Sequence, residues 1–157
     1  KNRSELAMIV DLLRNDLAQV CLPGSVTVGD FPVLESYANV HHLVSEIRGR
    51  LTPGTSLQAL MLALLPGGSV TGCPKLAAMH MIRRLESCAR QVYCGALGWL
   101  RHDLGQGELA LPIRTAWASE DRLRFGVGGG VVWGSDPEDE YAETLHKGRS
   151  LVQCLSS

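Results

Sequence analysis

No two of the five cysteines, Cys21, Cys73, Cys88, Cys94 and Cys154, form a C-x-x-C pair, and their number is odd. That suits neither a disulfide framework nor a zinc site, and a reducing cytoplasm is the expected location. No block of one charge is present either: fifteen basic residues stand against sixteen acidic ones, for a net charge of −1. A nucleic-acid face and an acidic solvating tail are thereby excluded. No run approaches the roughly 18 apolar residues of a membrane span, and no basic-then-apolar leader with a small-residue cleavage site opens the chain. No membrane partner is expected. Internal repeats, linkers and low-complexity segments are also missing. The chain begins at Lys1 without a Met and enters a periodic segment within a few residues, so an upstream part of the domain is expected to be absent.

What is present is an ordinary globular composition: 157 residues, 45% hydrophobic and 20% charged, enough for one packed core. Leu6, Ile9, Val10, Leu13, Leu17 and Val20 recur every three or four residues, the stripe of an amphipathic helix that Pro23 and Gly24 end. Val26 to Phe31 and Val40 to Leu51 read as strands, and Ser56 to Leu65 as a short helix. Pro66 to Ser69 is a turn-rich break. A helix is predicted from Thr71 or Gly72 to about Glu86, with Pro74 in its first turn and Leu76, Met79, Ile82 and Leu85 on its apolar face. Strands are predicted over Gln91 to Leu100, Glu108 to Ser119 and Leu123 to Val132, with turns at Asp103 to Gly107 and Ser119 to Asp121, most economically as an antiparallel meander. The last helix is signalled by Asp136 as N-cap, Pro137 in the first helical position and acidic Glu138 and Asp139, and it should run to about Leu151. Helices mixed with a late run of strands define an α+β class.

Two nucleotide motifs fail on inspection. Gly67 and Gly72 stand at P-loop spacing, but Cys73-Pro74-Lys75 follows where a phosphate loop needs Lys and then Ser or Thr. Gly126, Gly128, Gly129 and Gly130 miss G-x-G-x-x-G and end a strand rather than open a helix. His41 and His42 resemble a metal pair, yet neighbours in a strand point to opposite faces, so at most one faces a given site.

Acidic residues stand at both ends of the chain: Glu5 in the first helix, Glu140 and Glu143 in the last. Glu140, Glu143 and Lys147 share one helical face at spacings of three and four. By spacing alone this is a solvated face with a Glu-Lys pair worth about 0.3–0.5 kcal/mol, or a site. Gly128, Gly129 and Gly130 allow backbone N–H groups to approach a carboxylate ligand, or they simply make a tight bend. Arg114 interrupts the apolar run Leu111-Pro112-Ile113, where a half-buried strand position would demand an anionic partner, either a ligand carboxylate or a protein Glu.

Seven strings taken together carry a resemblance: ELAMIVDLLRND (Glu5 to Asp16), VHHLVS (Val40 to Ser45), GGSVTGCPK (Gly67 to Lys75), YCGALG (Tyr93 to Gly98), IRT (Ile113 to Thr115), GGGVV (Gly128 to Val132) and SDPEDEYAETLHK (Ser135 to Lys147). In that order and over nearly the whole chain, they resemble the chorismate-binding enzymes. That family includes the aminating components of anthranilate and aminodeoxychorismate synthases, isochorismate synthases and salicylate synthases.

The resemblance implies a fold and a site. The fold would be part of a large α/β sandwich with mostly antiparallel sheet and outer helices. Its sheets would be completed by strands outside this chain, leaving sheet edges and apolar surface exposed. Glu5, Glu143 and, in addition, Glu140 fall on the family's magnesium-binding carboxylates. Magnesium needs only one or two protein carboxylates beside water and substrate oxygens. Tyr93, Arg114, the amides of Gly128, Gly129 and Gly130, and Lys147 align with contacts to the two carboxylates of chorismate. His42, beside the ring hydroxyl, and Ser69 and Thr71, in the active-site loop, align with the catalytic set. Lys75 is expected either in a structural role or in support of the residues that touch the ligand.

The implied activity is magnesium-dependent binding of chorismate and its amination to 4-amino-4-deoxychorismate, with ammonia supplied by a glutamine amidotransferase. Neither the family's nucleophilic lysine, in a Pro-Ile-Lys-Gly-like string, nor its upstream acid glutamate occurs in this sequence. The paired His41-His42, the Gly67-to-Thr71 loop and Gly129, where anthranilate synthases usually carry Ala, favour the aminodeoxychorismate branch over anthranilate synthase. A non-catalytic chorismate-binding module is the alternative of a different class.

Overall fold

The computed structural model describes residues 2–37, 41–101, 103 and 105–155. They form two compact units, Lys1–Ser87 and Cys88–Ser157. Val40, expected at the head of a strand, and Leu104, in an expected turn, lie outside the described residues.

In the first unit the amphipathic stripe makes helix α1, Asn2–Ala18. Its buried positions are Val10 and Asp16. Strands β1 (Thr27–Val28), β2 (Val33–Ser36), β3 (His41–Val44) and β4 (Ile47–Arg48) follow. β1 pairs with β4 and β2 with β3, both antiparallel, as one nested hairpin. From Val28 to Val33 the first limb takes five steps while the second takes three from Val44 to Ile47, so two extra residues loop out around Gly29 to Pro32. That loop is why the strand expected over Val26 to Phe31 is cut short and resumes at Val33, and why Val40 to Leu51 divides into two strands.

Helix α2, Leu57–Leu64, starts at Ser56, whose hydroxyl accepts the Ala59 N–H at 3.1 Å. A single helical turn, α3, covers Gly68–Thr71, and α4 covers Lys75–Leu85. The sequence predicts a break at Pro66 to Ser69 and then one helix from Thr71 or Gly72. The structure instead stops α3 at Gly72, whose φ of 130° leaves the helical region, and uses Pro74 as the residue capping α4. Of the apolar face predicted for this helix, only Ile82 is half-buried. Leu76 is 73% and Leu85 76% exposed, so most of that face meets no neighbour within the unit.

A buried charge joins these helices. Asp16 is 2% exposed, and its Oδ2 accepts the Gly68 N–H at 2.8 Å while Oδ1 meets Lys75 Nζ at 2.9 Å. Lys75 also donates to Ala63 O at 2.7 Å, so the two side chains tie together α1, α2, α3 and the start of α4. A Cβ at Gly68 would lie 3.2 Å from Asp16 Oδ2, so the close approach suits a residue without a side chain. Of the two roles expected for Lys75, this is the structural one.

In the second unit β5 (Leu97–Arg101) pairs antiparallel with β6 (Gln106–Ala110), and β7 (Ala116–Ser119) with β8 (Arg122–Phe125). Each pair is a separate hairpin, so the predicted meander is broken between β6 and β7. The break centres on Arg114, whose φ of 50° no extended strand accommodates. Residues 91–94, predicted as strand, form a turn in which Gln91 and Cys94 also have positive φ. β8 stops at Phe125, before the glycines. Helix α5, Pro137–Leu155, begins as predicted: Asp136 Oδ1 accepts from Glu138 N at 3.0 Å and Asp139 N at 3.1 Å.

Antiparallel pairs with helices give the α+β class. Every residue of β5 and β6 is exposed, as are Val131 and Trp133. Two-stranded sheets with bare apolar faces leave uncovered the surface that a stable sheet ordinarily buries. Among the described residues no single helix is long and apolar enough to cross a membrane.

Lys75→Met leaves the Asp16 carboxylate buried with only an amide partner. Urea unfolding should show a loss of about 3 kcal/mol, of which adding Asp16→Leu restores part, because removing both charges costs less than stranding one. Asp136→Ala removes the α5 cap and should cost about 1 kcal/mol by the same measurement.

Candidate active site

In the second unit the end of β8 and the face of α5 assemble a polar cluster. Gly126 lies directly on the Tyr93 ring, where a Cβ would overlap it, and a Cβ at Gly128 would stand 2.9 Å from the Tyr93 hydroxyl. The glycine stretch therefore lets an aromatic side chain lie against bare backbone. Cys94 N donates to Pro112 O at 3.0 Å, which brings the turn carrying Tyr93 beside the segment that leads to Arg114.

α5 supplies the charges. Lys147 Nζ pairs with Glu143 Oε1 at 2.6 Å and donates to Gly128 O at 3.3 Å. One ammonium thus bridges the helix and the glycine stretch. With Lys147 23% and Glu143 35% exposed, the pair is shielded enough to exceed a fully solvated one. One turn earlier, Glu140 Oε1 accepts the Ser135 hydroxyl at 2.7 Å, and Glu140 Oε2 lies 3.0 Å from where a Cβ of Gly129 would stand. Ser135 Oγ in turn accepts Val132 N–H at 3.0 Å. The Thr144 hydroxyl donates to Glu140 O at 3.0 Å.

The structure thus brings together Tyr93, Gly128, Gly129, Glu140, Glu143 and Lys147. Gly130 follows in the same stretch and is exposed. Arg114 is exposed in the bend between β6 and β7, not half-buried in a strand, and among the described residues its guanidinium has no ion-pair partner. The positive φ forces the chain out of the sheet there, so the partner expected from burial is not required.

The remaining predicted residues lie in the first unit. Glu5 is half-buried in the first turn of α1. Ser69 and Thr71 sit on α3, where the Thr71 hydroxyl donates to Gly67 O at 3.0 Å. His42 lies on β3, and α1 packs against both β3 and α3. The two histidines separate as alternation requires: His41 Nδ1 lies 3.0 Å from Ser36 Oγ, while the His42 ring tilts at 57° against Tyr37 with centroids 5.5 Å apart. The Tyr37 hydroxyl donates to Glu35 at 2.8 Å, and that hydrogen bond, followed by the carboxylate's charge, raises the phenol above its ordinary pKa.

Among the described residues no three His, Cys, Asp or Glu side chains are grouped to hold a metal ion. Glu140 and Glu143 nonetheless offer hard oxygens on one helix face, next to backbone without side chains. Two carboxylates are what a magnesium ion needs from protein when water and a ligand complete its shell.

Sequence reasoning did not single out Gly126, Ser135 or Thr144. Gly126 was weighed only as part of a failed dinucleotide motif. Ser135 precedes the assigned N-cap, and its position five residues before Glu140 was the available signal.

Fold and cluster together define an α+β protein in which a lysine cation, glycine backbone and two carboxylates meet at one strand end. The model of the chorismate binding enzyme family matches residues 1–153, and the chain belongs to that family. It is 49% identical over 155 residues to an aminodeoxychorismate synthase of Streptomyces pristinaespiralis, covering 99% of this chain and 21% of the relative. It is 42% identical to anthranilate synthase component 1 of Saccharolobus solfataricus, covering 99% of this chain and 37% of that protein. Among solved structures, anthranilate synthase component I of Streptococcus pneumoniae superposes with a TM-score of 0.78 at 37% identity, over 94% of this chain and 34% of that one. The chain therefore spans about a fifth to two fifths of the length of these relatives.

Gly126→Ala places a methyl inside the Tyr93 ring and forces the side chain out. Overpacking of this kind costs about 1–3 kcal/mol, so the variant should melt earlier and lose near-ultraviolet tyrosine dichroism, and an unchanged spectrum would contradict the contact.

Proposed function

We propose that this chain is the C-terminal, substrate- and metal-binding portion of a magnesium-dependent enzyme that converts chorismate to 4-amino-4-deoxychorismate. The observation that carries this reading is the Lys147 ammonium held between Glu143 and Gly128 O at the glycine-rich strand end. A dicarboxylate needs a cation, bare amides and a hydroxyl donor in one place. Lys147, Gly129, Gly130 and Tyr93 offer these. Arg114, without an ion-pair partner among the described residues, adds a planar guanidinium suited to bidentate carboxylate binding.

Glu140 and Glu143 are the residues that would hold magnesium. When bound, the ion draws electron density toward the substrate's ring carboxylate. His42 serves the ring hydroxyl as a proton-transfer group. Thr71, its proton committed to Gly67 O, keeps lone pairs for accepting a hydrogen bond, and Ser69 supplies a second hydroxyl on the same turn. In the net reaction ammonia replaces the C4 hydroxyl, which leaves with a proton as water. An amidotransferase domain or subunit supplies the ammonia, and the setting is p-aminobenzoate and folate synthesis in the cytoplasm.

Identities of 41% to 49% to aminodeoxychorismate synthases overlap those of 42% to 45% to anthranilate synthases, so His41-His42 and Gly129 are what support this branch. The second reading, anthranilate formation, draws on 45% identity to an anthranilate synthase component of Haloarcula marismortui.

Chorismate, magnesium and ammonium incubated with the full-length gene product should give aminodeoxychorismate by liquid chromatography and mass spectrometry. Anthranilate would move the protein to the second reading, and bound but unconverted chorismate would make it a binding module. Glu143→Gln should abolish magnesium-dependent chorismate binding by calorimetry, and unchanged affinity would reject the metal assignment.

A further inference from the structure

We infer that Ser135 is the positioning residue for Glu140, fixing that carboxylate so that one oxygen faces the glycine stretch and serves a bound divalent cation. The inference rests on the metal site proposed above and names what orients it. Ser135 is half-buried and fully committed: its Oγ accepts Val132 N–H at 3.0 Å and donates to Glu140 Oε1 at 2.7 Å, while its own N–H donates to Val132 O at 2.9 Å.

The direction of the relay follows from chemistry. An ionised carboxylate only accepts, so the proton on the short Ser135–Glu140 contact belongs to the hydroxyl, and the hydroxyl's lone pair takes the Val132 amide. Both partners of Ser135 are thus fixed in role, and the hydroxyl has no freedom to rotate. With Oε1 held this way, Oε2 is left on the Gly129 side, 3.0 Å from where a Cβ there would stand. Among the described residues the Thr144 hydroxyl engages the Glu140 main-chain oxygen and not its carboxylate.

Glu143 is held differently, by the Lys147 cation. Of the two carboxylates proposed to hold the ion, Glu140 is therefore the one oriented by a neutral donor, which leaves its negative charge to attract a cation. Groups that orient metal-binding carboxylates contribute about 10–100-fold to metal affinity. The backbone pairing between residues 132 and 135 survives loss of the hydroxyl, because the Ser135 N–H still reaches Val132 O. Ser135→Ala therefore removes the orientation without removing the turn.

The test is a Mn²⁺ titration of the full-length protein, followed by electron paramagnetic resonance with chorismate present, together with thermal melting. Ser135→Ala should weaken Mn²⁺ binding about 10-fold with melting unchanged, Ser135→Thr should restore it, and Glu140→Gln should weaken it at least as much as Ser135→Ala. If Glu140→Gln weakens binding and Ser135→Ala does not, the positioning role is overturned while the metal site stands. If Glu140→Gln has no effect either, the metal assignment of Glu140 fails, and the inference with it. A loss in Ser135→Ala that tracks a lowered melting temperature and is not rescued by Thr would reduce Ser135 to a structural residue.

Discussion

A carboxylate almost sealed from water organises the first unit. Asp16, 2% exposed, is tolerable only because an ammonium and a backbone amide reach it, and those partners come from segments more than fifty residues downstream. Taking a charge into a low-dielectric interior costs several kcal/mol, so any arrangement lacking both partners is penalised. The interaction therefore selects a packing more than it adds stability. It holds α1 against the turn α3, which carries Ser69 and Thr71, and sets where α4 begins.

The second unit solves a different problem, that of placing charges against backbone. A side chain at Gly126, Gly128 or Gly129 would collide with Tyr93 or crowd Glu140. The glycines at these three positions are what let the tyrosine ring, the Lys147 ammonium and the Glu140 carboxylate converge on one short segment. Two hydrogen-bonding devices then hold the α5 acids: a serine hydroxyl for Glu140 and an ammonium for Glu143. The helix that carries them is itself anchored by Asp136.

Neither unit encloses its apolar surface. Leu76 and Leu85 on α4, both strands of the β5–β6 hairpin, and Val131 and Trp133 stand open. The chain covers 34% of the Streptococcus pneumoniae structure that it superposes on. Apolar faces of this extent accord with a segment whose relatives continue well beyond it.

Local rules were sufficient for much of this molecule. The period of Leu6 to Leu17 made α1 legible, Asp136 marked the cap of α5, and alternation separated His41 from His42. The order of the quoted strings was enough for the family, because those strings are local in sequence. What local rules missed was set by long-range contacts. Arg114 read as a strand residue because its neighbours are apolar, yet its positive φ depends on where β6 and β7 find separate partners. Two residues looped out near Gly29 are invisible until the strands pair. The face of α4 read as core because periodicity records amphipathicity but not whether a neighbour exists. Ser135 carried no signal beyond its spacing from Glu140. Its role arises only when a turn brings its hydroxyl to Glu140, and tertiary structure alone decides such a meeting, because hydrogen bonds depend on distance and direction, which sequence spacing does not encode.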